Sequence, residues 1–140
     1  PSFKTGEIEP NGYKGKFVDS GAKHFATIID DMKIELVKSE GQKIRCNEIF
    51  KPDGVNVNFM TLVNQNHINV WTYEKGIENM VMSCGSGSVA SAFYAYTKNK
   101  LKSPVKITKF VNYCGAGTGE CLYDKKSNQY SQCPGSHWAL

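Results

Sequence analysis

The sequence predicts one domain of β-strands with a surface helix and one buried helix. Three observations carry this: two period-two runs separated by a polar turn, a stretch with helical spacing between strand-like segments, and a Gly/Ser-led segment that is apolar on every side. At 140 residues the chain is long enough to bury roughly two-thirds of the surface its unfolded form exposes. Hydrophobic residues at 40% and charged residues at 21% are ordinary globular values, which excludes disordered and fibrous classes.

Taken in order, FVDSGAKHFATIIDD reads as a strand from Phe17, a turn at Ser20-Gly21 and a second strand from about His24 to Ile29. Asp30 and Asp31 then predict a helix cap. Met32, Leu36, Val37 and Ile44 follow at helical spacing, with Gly41 weakening the pattern. After the Pro52-Asp53-Gly54 turn, Val55, Val57, Phe59, Thr61 and Val63 alternate with a face that is polar at one end only. A turn at Asn64-Gln65-Asn66 and a second alternating run, His67 to Tyr73, complete a hairpin.

SCGSGSVASAFYAYTKNK is too apolar all round for a surface helix, so it predicts a buried one that starts near Ser86 or Gly87. Lys98 and Lys100 suit the negative end of its dipole, and Ser103-Pro104 breaks the pattern. Short strands are expected at Val105 to Thr108, at Glu120 to Asp124 and around Tyr130.

Partners and compartment follow from what is missing. The 17 Lys and Arg are scattered, without a basic block or interleaved aromatics, so no nucleic-acid partner is expected despite a net charge of +4. No apolar run reaches the roughly 18 residues of a membrane span, and the start PSFKTGEIEP has no secretory pattern. Both point to the cytoplasm with no membrane partner. An initial Pro in place of Met fits processing, truncation or a fragment of a longer chain. Cys46, Cys84, Cys114, Cys121 and Cys133 form neither a CxxC pair nor metal spacing, and an odd number cannot pair fully within one chain. Reduced thiols and no metal are expected.

The chemistry concentrates at Cys84. It immediately precedes Gly85-Ser86-Gly87-Ser88 and the helix start, where free N–H groups and the positive dipole end favour an anion. Such a position can lower a thiol pKa or hold a small carboxylate. Read locally, the pattern fits a buried thiol beside an ordinary cap equally well. A phosphate loop is disfavoured, because GSGS lacks both the Lys of a P-loop and GxGxxG spacing.

VDSGAKHF, GVNVNF, WTYEKG and SCGSGSVASA occur in the order and near the separations seen in the C-terminal half of diaminopimelate epimerase. The chain resembles that family over most of residues 3 to 108, and residues 1–16 look like the crossover from a missing N-terminal half. The tail PGSHWAL resembles the family's ending only loosely. The resemblance implies the α+β class, with a curved, mainly antiparallel sheet wrapped around a central apolar helix. It makes residues 1–140 a C-terminal domain of an isomerase that inverts an amino-acid α-carbon, diaminopimelate first among substrates, without pyridoxal phosphate, metal or any other cofactor. Cys84 matches one of two acid/base thiols. Glu74 and His24 match residues that tune it, with Glu74 also contacting substrate; Asn56 matches a substrate-binding asparagine, and Gly85 and Ser86 match amides that hold the α-carboxylate. Taken alone, His24, Asn56 and Glu74 fit bland roles as well.

Lys75 stands where the family usually has Arg, and Ala22 replaces a side chain able to hydrogen-bond; both bear on substrate identity. No other cysteine here has a Cys-Gly context, so the second thiol is absent and the chain alone is expected to be inactive. Its expected partners are the substrate, the N-terminal half of the same enzyme and, through the cleft face an unpartnered domain exposes, a second copy of itself. Two alternatives stand beside this reading: a same-fold racemase or isomerase of another amino acid, and a catalytically incomplete module that binds a small carboxylate.

Overall fold

A computed structural model describes residues 6–81, 85–98 and 100–110, together with short strands at 123–124, 129–130 and 136–138. The elements are β1 (Glu7–Ile8), β2 (Gly15–Asp19), β3 (Lys23–Ile28), α1 (Ile34–Arg45), β4 (Asn56–Asn64), β5 (His67–Glu74), β6 (Asn79–Val81), α2 (Gly85–Thr97), β7 (Val105–Phe110), β8 (Tyr123–Asp124), β9 (Gln129–Tyr130) and β10 (Ser136–Trp138). An open sheet runs β1-β2-β3-β4-β5-β7-β10, with β6 added beside the end of β5. β3 pairs with β4, and β5 with β7, in parallel; the other pairings are antiparallel. Both parallel steps need a crossover. α1 lies within the first and α2 within the second.

The two helices take opposite faces. Successive strand residues point to opposite sides, and neighbours divide accordingly: Phe25, Val57, Phe59, Trp71 and Tyr73 pack with Val37 and Ile44 of α1. Ala26, Met60, Ile68 and Val70 pack with Ala92, Tyr94 and Ala95 of α2. α2 touches β2, β3, β4, β5 and β7. Five strands about 4.8 Å apart span about 19 Å, nearly twice the roughly 10 Å width of a helix, so all five reach it only because the sheet curves around it. The expected α+β class and central apolar helix are both present.

The hairpin, α1 and α2 lie where the spacing predicted them. The expected Asp30-Asp31 cap does not form. Lys33 precedes the first turn of α1 without a side-chain cap bond, and Asp31 Oδ1 instead accepts from the Met32 amide at 2.9 Å, because the helix starts three residues beyond the acids. Gly41 does not interrupt α1 either. It lies against Tyr73, where an added Cβ would fall 2.5 Å from the tyrosine Cβ, so the glycine permits close helix–sheet approach. α2 ends at Thr97, well before Pro104. Among the described residues no helix is long and apolar enough to cross a membrane. Cys46 is a free, exposed thiol; Cys84, Cys114, Cys121 and Cys133 lie outside the described residues.

Candidate active site

The sheet face beneath α2 changes character along its length. Under the body of the helix it carries Ala26, Met60, Ile68 and Val70. Under the helix N-terminus the same face carries His24, Asn56, Asn58, Thr72 and Glu74, which follow from the register: His24 lies opposite Asn56, Asn58 opposite Thr72, and Glu74 ends β5 two residues beyond Thr72. His24, Asn58 and Thr72 are at most 3% exposed. Buried polar groups are stable only when hydrogen-bonded, and these are bonded to one another.

The network runs from the sheet to the helix. Thr72 Oγ1 donates to Asn58 Oδ1 at 2.8 Å, and Asn58 Nδ2 lies 2.9 Å from His24 Nδ1. His24 Nε2 lies 2.9 Å from Ser86 Oγ in the first turn of α2. Ser20, in the β2–β3 turn, donates its hydroxyl proton to the Ser86 carbonyl at 2.7 Å. Ser86 is thus held to the sheet at side chain and backbone. Gly21 at φ +108° allows that turn to close.

Burial pushes the His24 pKa down to about 4 from its ordinary 6.5, against an opposing pull from the Asp19 carboxylate. The imidazole is therefore neutral near pH 7. Asn56 ties strand ends together: its Oδ1 accepts from the Lys75 amide at 3.0 Å and its Nδ2 donates to the Lys23 carbonyl at 3.3 Å. Glu74 is half-buried at the end of β5. Lys75 directs its ammonium to the Asp53 carbonyl at 2.9 Å.

Of the expected site residues, the structure brings His24, Asn56, Glu74, Gly85 and Ser86 to one end of one sheet face, with Lys75 at its edge. Cys84 lies outside the described residues. Asn58, Thr72 and Ser20 belong to the same cluster and were not expected. Asn58 was within reach of sequence reasoning, since a residue two places after Asn56 on a strand shares its face. A cleft of about 290 Å³ lined by Phe17, Phe50, Pro52, Lys23 and Asp53 opens beyond the β3 start, on the α1 side to which Phe17 and Phe50 belong. Among the described residues no three His, Cys, Asp or Glu side chains gather to hold a metal.

The sequence has relatives. A profile described as diaminopimelate epimerase matches residues 16–121. The chain belongs to the diaminopimelate epimerase family. It is 37% identical over 109 residues to the diaminopimelate epimerase of Aquifex aeolicus, covering 76% of this chain and 39% of that protein. For the Hydrogenobaculum diaminopimelate epimerase the identity is 37% over 92 residues, 64% of this chain and 33% of the relative; for that of Chlorobaculum tepidum it is 32% over 101 residues, 72% and 39%. The matches thus span about two-fifths or less of these relatives, whose names imply an isomerase family.

Proposed function

We propose that the chain is the C-terminal half of a two-thiol amino-acid epimerase that inverts the α-carbon of diaminopimelate, with Cys84 as one of the two acid/base groups. The observation that carries this reading is the convergence of His24, Asn56, Asn58, Thr72 and Glu74 beneath the N-terminus of a buried helix. A face built only for packing would continue the apolar run of Met60 and Val70 to its end.

The chemistry asks for two things at once. An amino-acid α-proton is weakly acidic, so its removal needs a base against Cα and stabilisation of the charge that flows toward the carboxylate. Backbone N–H groups at the start of α2, in Gly85 and Ser86, hold the α-carboxylate and bias it toward the negative charge of the transition state. Cys84 removes or returns the proton on one face as thiolate or thiol. The opposite face is served by a thiol from the N-terminal half. His24, neutral and bonded to Ser86, sets the position of the carboxylate cradle, while Glu74 presents a carboxylate at the rim that adjusts thiol ionisation. Asn56 fixes the strand ends that carry Glu74 and Lys75 and orders the substrate side chain. No cofactor enters the proposed proton transfers.

The test is exchange of the diaminopimelate α-proton with solvent deuterium, followed by proton NMR, for the chain combined with its N-terminal half. Exchange that disappears in the Cys84→Ala variant supports the reading; exchange that persists undiminished in that variant rejects it. A second reading has its own observation. Because the Lys75 ammonium is engaged with the Asp53 carbonyl, the substrate side chain is less constrained than by a bidentate Arg, which favours an epimerase of another amino acid. Faster exchange with a different amino acid in the same assay selects it.

A further inference from the structure

We propose that Asn58 is a positioning residue: its side-chain amide places the His24 proton on Nε2, so that the imidazole donates to Ser86 Oγ and anchors the first turn of α2 to the sheet.

The acceptors around the Asn58 amide give the direction its preference. Thr72 offers a hydroxyl, which donates or accepts, and therefore cannot alone orient the Asn58 amide. The Phe25 carbonyl can, because it only accepts. It lies 3.5 Å from the same Asn58 atom that faces His24 Nδ1 at 2.9 Å. A nitrogen there can donate toward both Nδ1 and the Phe25 carbonyl, whereas an oxygen would find no donor in that carbonyl. With Nδ2 fixed, Oδ1 accepts from Thr72. Nδ1 then accepts, which leaves the single proton of the neutral ring on Nε2, 2.9 Å from Ser86 Oγ. One proton order thus runs from β5 through β4 and β3 to α2. Asp19 on β2 is the charged group acting on the ring; on β5 the acid of the same face is Glu74; and α2 brings no acid in its first turn.

The tautomer is independent of the catalytic reading; only its effect on turnover rests on it. Nitrogen-15 NMR of the three imidazoles in the full chain reads the proton position directly. The wild type is expected to show His24 protonated at Nε2 and bare at Nδ1, and a proton found on Nδ1 overturns the proposal without any variant. Asn58→Asp replaces the donor by an acceptor of the same shape, so the proton is expected on Nδ1. Persistence of the bare Nδ1 in that variant also overturns it. In the complete enzyme, Asn58→Asp is expected to lower α-proton exchange by up to ~100-fold, as for a misplaced site. A moved proton with undiminished exchange rejects the positioning role, whereas a wild type that exchanges nothing removes the catalytic reading and leaves the tautomer assignment intact.

Discussion

The two faces of the sheet solve the same packing problem with different chemistry. On the α1 side Phe25, Val57, Phe59, Trp71 and Tyr73 meet an amphipathic helix, and the layer under α1 is apolar, with Thr27 and Asn69 lying further along the same face. On the α2 side the apolar run stops halfway, and the buried surface continues as a hydrogen-bonded set of His24, Asn58 and Thr72. A polar group under a helix contributes less than a methylene of the same volume and costs more if it loses its partner. The α1 face is therefore read as structure, and the polar end of the α2 face as a site with a structural cost.

The comparison breaks first on the apolar side. Phe59 is fully buried there, and Phe59→Ala is expected to cost about 3–5 kcal/mol in urea unfolding, from lost transfer energy and the residual cavity. A loss below about 1 kcal/mol would mean that this layer is not the main core.

On the polar side the corresponding signature is pH. The folded-state pKa of His24 is depressed to about 4 from 6.5, so the unfolded chain takes up the proton first. Its contribution is complete above about pH 6.5, is lost as pH falls toward 4, and changes no further below that, amounting to about 3 kcal/mol. Glu7, Glu40 and Glu78, whose carboxyls are held below 4.5 mainly by Lys98, by Tyr13 and by the Gly76 amide respectively, lose theirs in a lower window. Urea midpoints at pH 7 and pH 5 check this, and His24→Gln should flatten the difference; an equal slope in that variant would assign the effect elsewhere.

Gly41→Ala sharpens the comparison at the helix–sheet contact. The new methyl would overlap the Tyr73 side chain, with an expected loss of about 1–3 kcal/mol, and a stabilised variant would show that α1 moves freely on the sheet. The smallest effect is at the rim. Lys51 and Glu48 pair at 2.7 Å with both side chains exposed, and Lys51→Met is expected to change stability by no more than about 0.5 kcal/mol.

Much of this was legible in the residues themselves. Period-two runs gave β4 and β5 because the pleat alternates their side chains between two unlike faces, one of which turns polar at Asn56, Asn58 and Thr72, and the all-round apolarity of α2 announced a buried helix. β1, β6 and β10 escaped because two or three residues carry no period, and β10 also pairs with β7, a strand far back in the sequence. Gly41 looked like a helix weakness because the Tyr73 ring that it accommodates is 32 positions away. At the site, His24, Asn56, Gly85 and Ser86 were expected from the family resemblance of their motifs, since His24 and Asn56 read alone fit bland roles. Thr72 stayed hidden because a polar residue on a strand reads as solvent-facing until the helix that covers it is in place. The expected role of Cys84 rests on its sequence context and family membership.

The central claim is that the polar end of the α2 face receives the substrate. Amide and side-chain NMR shifts of the chain titrated with diaminopimelate test it most directly. The account predicts that the shifts cluster at His24, Asn56, Glu74, Gly85 and Ser86 and leave Phe17 and Phe50 of the opposite cleft unmoved. Shifts centred on that cleft, with the α2 N-terminus silent, would contradict it.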